Sequence, residues 1–121
     1  RLPEPRINIA TGLSTFFYVA PPLNLSAVQQ KNQSFLQTEY LNELTWDENP
    51  RNAGKNVTYY RVYLYENGQA NLLEQVGSST YQYRHRNAGL RIERKYGITS
   101  VTSDGVESVP FTYTIKFGVE Q

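Results

Sequence analysis

Side chains able to do acid–base or nucleophilic chemistry are few in this sequence. His85 is the single histidine and there is no cysteine, so a thiol nucleophile, a thiolate metal site and a disulfide are all excluded. His85 stands between Arg84 and Arg86, and two neighbouring cations disfavour the imidazolium form. It reads as a surface residue at the rim of a sheet rather than as a prepared base. Asp47, Glu48 and Asn49 group oxygens of the kind calcium uses, but their spacing fits no calcium loop and no glycine among them supplies the sharp turn. They read as turn formers and solvated charges after a strand. A phosphate-cradling glycine loop is absent. No catalytic residue, metal ligand or cofactor site is expected, and the chain is predicted not to be an enzyme.

Two other groupings have the chemistry of recognition. Arg84, His85, Arg86, Arg91, Arg94 and Lys95 form the one local concentration of charge, interrupted by Glu93; polyanions, lipid headgroups and acidic partners are its possible counterparts, and a solvated face is the plainer reading. Tyr59, Arg61, Tyr63 and Tyr65 alternate along one segment. Tyrosine and arginine are enriched on protein recognition surfaces, and flat aromatic rows also suit sugar rings, while cross-strand aromatic pairing would merely stabilise a sheet. These four residues are the candidate partner-binding set. Three sequons, at Asn24, Asn32 and Asn56, matter only in a eukaryotic secretory setting.

The bulk properties narrow the partners. Twelve lysines and arginines face eleven acidic residues, a net charge of +1, so there is no long-range pull on a phosphate backbone and nucleic acid is not an expected partner. No apolar run is long enough to span a bilayer, and no membrane insertion is expected. Beginning at Arg1 with no methionine, the sequence reads as part of a longer protein.

The elements that must position these residues are strands. In 121 residues with 39% apolar and 13% aromatic content, ten of them tyrosine, one core is the usual solution and sheet surfaces suit the tyrosines. From Val57 to Tyr65, Tyr60, Val62 and Leu64 fall on one side and the tyrosine–arginine row on the other. The stretch from Val109 to Phe117 alternates in the same way. Breakers at Asn49-Pro50, Asn67-Gly68, Gly77-Ser78, Asn87-Ala88-Gly89 and Asp104-Gly105 divide the chain into seven expected strands, over residues 25–28, 40–46, 57–65, 72–76, 81–84, 94–101 and 109–117. Pro21-Pro22 marks a boundary. Residues 1–20 read as a linker or the end of a preceding domain, 21–117 as the domain and 118–121 as a tail. The expected core comprises Leu25, Leu44, Trp46, Tyr60, Val62, Leu64, Tyr81, Tyr83, Tyr96, Ile98, Phe111, Tyr113 and Ile115, centred on the single tryptophan.

Over residues 21–117 the strand contents resemble the fibronectin type III family. Pro22-Leu23-Asn24-Leu25-Ser26-Ala27 is similar to its opening strand, and Leu44-Thr45-Trp46-Asp47 with Pro50 to its second strand and core tryptophan. Thr58-Tyr59-Tyr60-Arg61-Val62-Tyr63 resembles the third, and Ser100-Val101, Asp104-Gly105 and Glu107-Ser108 the last turn. The family's tyrosine corner gives two counts. Leu90 and Tyr96 keep its spacing with Ile92 in the proline's place, whereas counting back from Val101 puts Arg94 at the corner. The resemblance implies an all-β, immunoglobulin-like antiparallel sandwich of about seven strands. It also implies a non-catalytic binding or spacer module of a multidomain secreted or cell-surface protein, extracellular or periplasmic. Expected partners are a protein or a polysaccharide and neighbouring domains of the same chain; an accessory carbohydrate-binding or linker domain of a polysaccharide-degrading enzyme is the alternative.

Overall fold

The computed structural model describes residues 18–118. Its seven strands are β1 (Leu23–Gln33), β2 (Thr38–Asp47), β3 (Val57–Glu66), β4 (Gln69–Gly77), β5 (Gln82–His85), β6 (Arg94–Thr102) and β7 (Phe111–Ile115), with one turn of 3-10 helix at Pro50–Asn52 between β2 and β3. They form two antiparallel sheets, one of order β1-β2-β5 and one of order β4-β3-β6-β7. The expected sandwich is the observed one.

Local chemistry explains the turns. Asn67 and Gly68, at φ 52° and 77°, form the two-residue turn between β3 and β4, and these left-handed angles match the twist of a tight hairpin. Asn49 caps the 3-10 turn by accepting the Arg51 N–H at 2.9 Å, and its own amide donates to the Pro21 carbonyl at 2.8 Å. Asp47 accepts from Asn24 at 2.9 Å and Glu48 from the Tyr81 hydroxyl at 3.1 Å. The acidic cluster thus serves the loop it stands in.

Between the sheets lie Leu25, Ala27, Leu44, Trp46, Tyr60, Val62, Leu64, Tyr96, Ile98 and Ile115, all buried. Trp46 meets Tyr60 edge to face at 5.8 Å, an arrangement that satisfies the ring quadrupoles. Burial pushes the Tyr60 phenol up to about 12, so it stays neutral in the core. Tyr83, Phe111 and Tyr113 pack against this cluster from its margin.

Several expectations are corrected. Tyr81 is not a core residue: it precedes β5 and is 37% exposed, because its hydroxyl turns out to Glu48. The closing strand starts at Phe111, since Pro110 has no N–H for the ladder and Ser108 instead uses its hydroxyl to accept the Ser100 N–H at 2.9 Å. β1 runs on to Gln33, well past Val28, pairing with β2 down to Gln33 and Thr38. Contacts with the sandwich extend ahead of the Pro21 boundary. Val19 and Ala20 are buried, and the Asn52 amide clasps Ala20 through its N–H and carbonyl, each at 2.8 Å. Residues 1–17 and 119–121, which include most of the expected linker and the tail, lie outside the described residues.

Candidate recognition face

Pairing across the four-stranded sheet fixes what the tyrosine row touches. Tyr59, Arg61, Tyr63 and Tyr65 lie opposite Val101, Thr99, Gly97 and Lys95 of β6 and opposite Gly77, Gln75, Leu72 and Ala70 of β4. Residues opposite one another in a ladder share a face, so all of these project away from the core. The structure brings the four candidates into one row, but it does not leave them equally free.

At the centre sits Glu107, in the β6–β7 turn. Its carboxylate accepts from Arg61 Nη1 at 2.9 Å, from Thr99 Oγ1 at 2.7 Å and from the Tyr63 hydroxyl. Arg61 also donates through Nε to Gln75 at 2.8 Å. Burial, together with the Glu107 carboxylate it bonds, pushes the Tyr63 phenol above its usual range. These bonds hold the side chains of Arg61, Tyr63 and Thr99 in one arrangement.

Tyr65 is held differently. Gly97 is buried, and a β-carbon there would come within 2.8 Å of the Tyr65 ring. The ring therefore sits where a side chain at position 97 would stand, with Lys95 Nζ 5.1 Å from its centroid. Burial raises the Tyr65 phenol as well. That leaves Tyr59 at 41% exposure and Leu72 at 54% as the open apolar surface beside the fixed pair.

Sequence reasoning missed Glu107, Thr99, Gln75 and Leu72. Their convergence depends on strand order, which no local pattern encodes. Gly97 was available as a signal, because an isolated glycine inside a strand marks close approach by another group.

The remaining chemistry-bearing residues are also accounted for. His85 is not a bare rim residue: its Nδ1 lies 2.6 Å from the Tyr96 hydroxyl, which also receives the buried Asn42 amide at 2.8 Å. Gln29 extends this chain, donating to Asn42 at 3.1 Å and to the Gly89 carbonyl at 2.8 Å. Burial first, and then Arg94, push the imidazole below its ordinary value of 6.5. Within the basic run, Arg86 makes a two-pronged contact with Glu39 at 2.5 and 2.8 Å, and Arg94 lies 3.6 Å from Glu66. Among the described residues no cluster of three or more His, Cys, Asp or Glu could hold a metal ion.

No protein-family model and no curated protein matches the sequence. Solved structures do match. The crystal structure of FN3tt aligns over 79% of this chain and 90% of its own, at 15% identity and a TM-score of 0.60. A Fn3-like protein from Clostridium thermocellum aligns over 85% of this chain and all of its own, at 19% identity and a TM-score of 0.59. The fold is that of a fibronectin type III domain. The same sandwich also aligns with part of the glycoside hydrolase domain structure of Endo-D from Streptococcus pneumoniae R6, over 84% of this chain but 16% of that one, at 19% identity and a TM-score of 0.59. In fibronectin type III terms the tyrosine row lies on the third strand, central in the four-stranded sheet.

Proposed function

We propose that this fibronectin type III-like domain is a non-catalytic module of a multidomain secreted or cell-surface protein, and that its outer tyrosine face receives a protein partner. The observation that carries this reading is the fixed Arg61–Glu107–Tyr63 group beside exposed Tyr59 and Leu72. Side chains already immobilised lose little entropy on binding, and apolar surface next to oriented polar groups is the composition of recognition sites. The spacer role is supported by chain direction. Val19 lines one hollow with Thr102 and Val106 of the β6–β7 turn, whereas β7 ends at Ile115 opposite Arg94, at the other end of β6. Such a module transmits the chain from pole to pole.

A photo-crosslinking residue at position 59 or 72, in cells producing the protein, tests the reading. Adducts are expected from both positions and not from position 45, on the outer face of the other sheet. Equal crosslinking from all three would overturn it. A second reading, an accessory domain contributing sugar affinity to a polysaccharide-degrading enzyme, is supported by the alignment with part of a glycoside hydrolase structure and by the tyrosine row. It predicts retardation in native gels containing soluble polysaccharide, lost on Tyr59→Ser with Leu72→Ser.

A further inference from the structure

Among the described residues nine large apolar side chains stand exposed, and two of them, Phe35 and Leu36, adjoin at the tip of the β1–β2 hairpin, with Leu90 and Ile92 in the loop that Gln29 holds behind it. The topology explains why. β5 reaches only to the pair Asn42–His85, while β1 and β2 continue pairing for four more positions, to Gln33 and Thr38. The hairpin therefore reaches about 13 Å beyond the last β5 pair. Its stem is braced by the Ala88 N–H, which donates to the Tyr40 carbonyl at 2.8 Å, and by the Arg86–Glu39 contact. Its tip is closed by Ser34, which exchanges backbone and hydroxyl hydrogen bonds with Gln37. At the tip Phe35 is fully exposed and Leu36 is 87% exposed, between the polar, uncharged Gln33-Ser34 and Gln37-Thr38.

The charges are distributed unevenly along the same axis. By strand register Lys31, Arg86, Arg91, Arg94, Lys95 and Lys116 lie toward the hairpin end, against Glu39, Glu66 and Glu93, an excess of three positive charges among the described residues. The rest of the described chain has Arg51, Lys55, Arg61 and Arg84 against Glu43, Asp47, Glu48, Glu74, Asp104 and Glu107, a deficit of two. Internal ion pairs leave this imbalance unchanged, because they remove one charge of each sign. The net charge of +1 thus conceals an axial dipole.

We infer that this end of the module docks on an anionic lipid bilayer, with Phe35 and Leu36 entering the boundary between headgroups and acyl chains and the cations behind them facing the lipid phosphates. Two exposed apolar side chains on a hairpin tip are too few for a protein interface, which takes roughly 800 Å² and 20 residues a side. A bilayer asks for no complementary shape, and apolar insertion combined with basic residues is what holds peripheral proteins there. No helix among the described residues is long and apolar enough to cross a membrane. Docking is peripheral and involves two side chains.

The test is co-sedimentation of the 121-residue protein with phosphatidylcholine vesicles containing about 30% phosphatidylglycerol, and with phosphatidylcholine alone. Binding to the anionic vesicles is expected, weakened at least tenfold, about 1.4 kcal/mol, by Phe35→Ser with Leu36→Ser, and weakened by raising salt from about 0.1 to about 0.5 M. The double variant should keep the parent melting temperature, since neither side chain touches the core. Phe35→Trp should shift its emission to the blue on anionic vesicles. Absence of binding, or equal pelleting of parent and double variant, would overturn the inference. Equal pelleting with and without phosphatidylglycerol would overturn the anionic part. Tip-dependent capture of a protein without any lipid effect would replace the bilayer with a protein pocket.

Discussion

Burial, and after it Arg94, disfavours the charged form of His85. It lies 2.6 Å from the Tyr96 hydroxyl, half-buried, with Arg94 acting against its protonation and Glu66 only partly offsetting that. A lowered folded-state value means that, as pH falls below the ordinary 6.5, the unfolded chain takes up this proton first. Stability is then full above about pH 6.5 and declines as pH falls toward the folded-state value. Glu39, held below 4.5 chiefly by its hydrogen bond with Arg86, adds a further decline only below that value. Urea midpoints between pH 7.5 and about 5 should therefore fall in the parent and stay nearly level in His85→Gln. Parallel slopes in the two proteins would show that another group carries the effect.

At the scale of elements, the link from β5 to β6 carries the most unusual chemistry. Arg94, at the first position of β6, donates through Nε to the carbonyl of buried Ala88 at 2.9 Å, while Tyr96 turns its hydroxyl to Asn42 and His85. The backbone bond that a tyrosine corner makes across this connection is here made by an arginine. Of the two counts available in the sequence, the one taken back from Val101 reached the residue that makes it. Arg94→Leu should cost on the order of 1.5 to 3 kcal/mol, because it removes a hydrogen bond from a charged donor and leaves the Ala88 carbonyl without it. Chemical unfolding measures this directly, and a loss below about 0.5 kcal/mol would mean that water satisfies the Ala88 carbonyl in the variant.

For the whole molecule, the decisive contact is the clasp at the amino-terminal end of the described chain. Pro21 is where the sequence turns, yet Val19 and Ala20 are 4% and 2% exposed, and Asn52 has both ends of its amide on Ala20. A chain beginning at Pro21 should be less stable than one beginning at Tyr18 by about 2 to 4 kcal/mol, from an orphaned buried amide and lost apolar burial. Thermal unfolding of the two proteins, with Asn52→Ala in the longer one as companion, checks this. Equal melting temperatures would restore Pro21 as the functional start of the domain.

Alternation of apolar residues every second position determined the strands and their inward faces, because side-chain direction in a strand depends only on parity. Trp46, Tyr60, Val62, Leu64, Tyr96 and Ile98 were legible as core for that reason, and Asn67-Gly68 as a turn because few other pairs tolerate its backbone angles. The tyrosine row was equally legible as a row. Its occupation was not. Glu107 reaches Arg61, Tyr63 and Thr99 across 46, 44 and 8 residues of sequence, and Asn52 reaches Ala20 across 32. The length of β1, the setting of His85 and the grouping of Phe35 with the basic corner likewise follow from which strands became neighbours. Those depend on how two sheets stack and where each strand outruns its partner, a property of contacts distant in sequence that only the assembled sandwich decides.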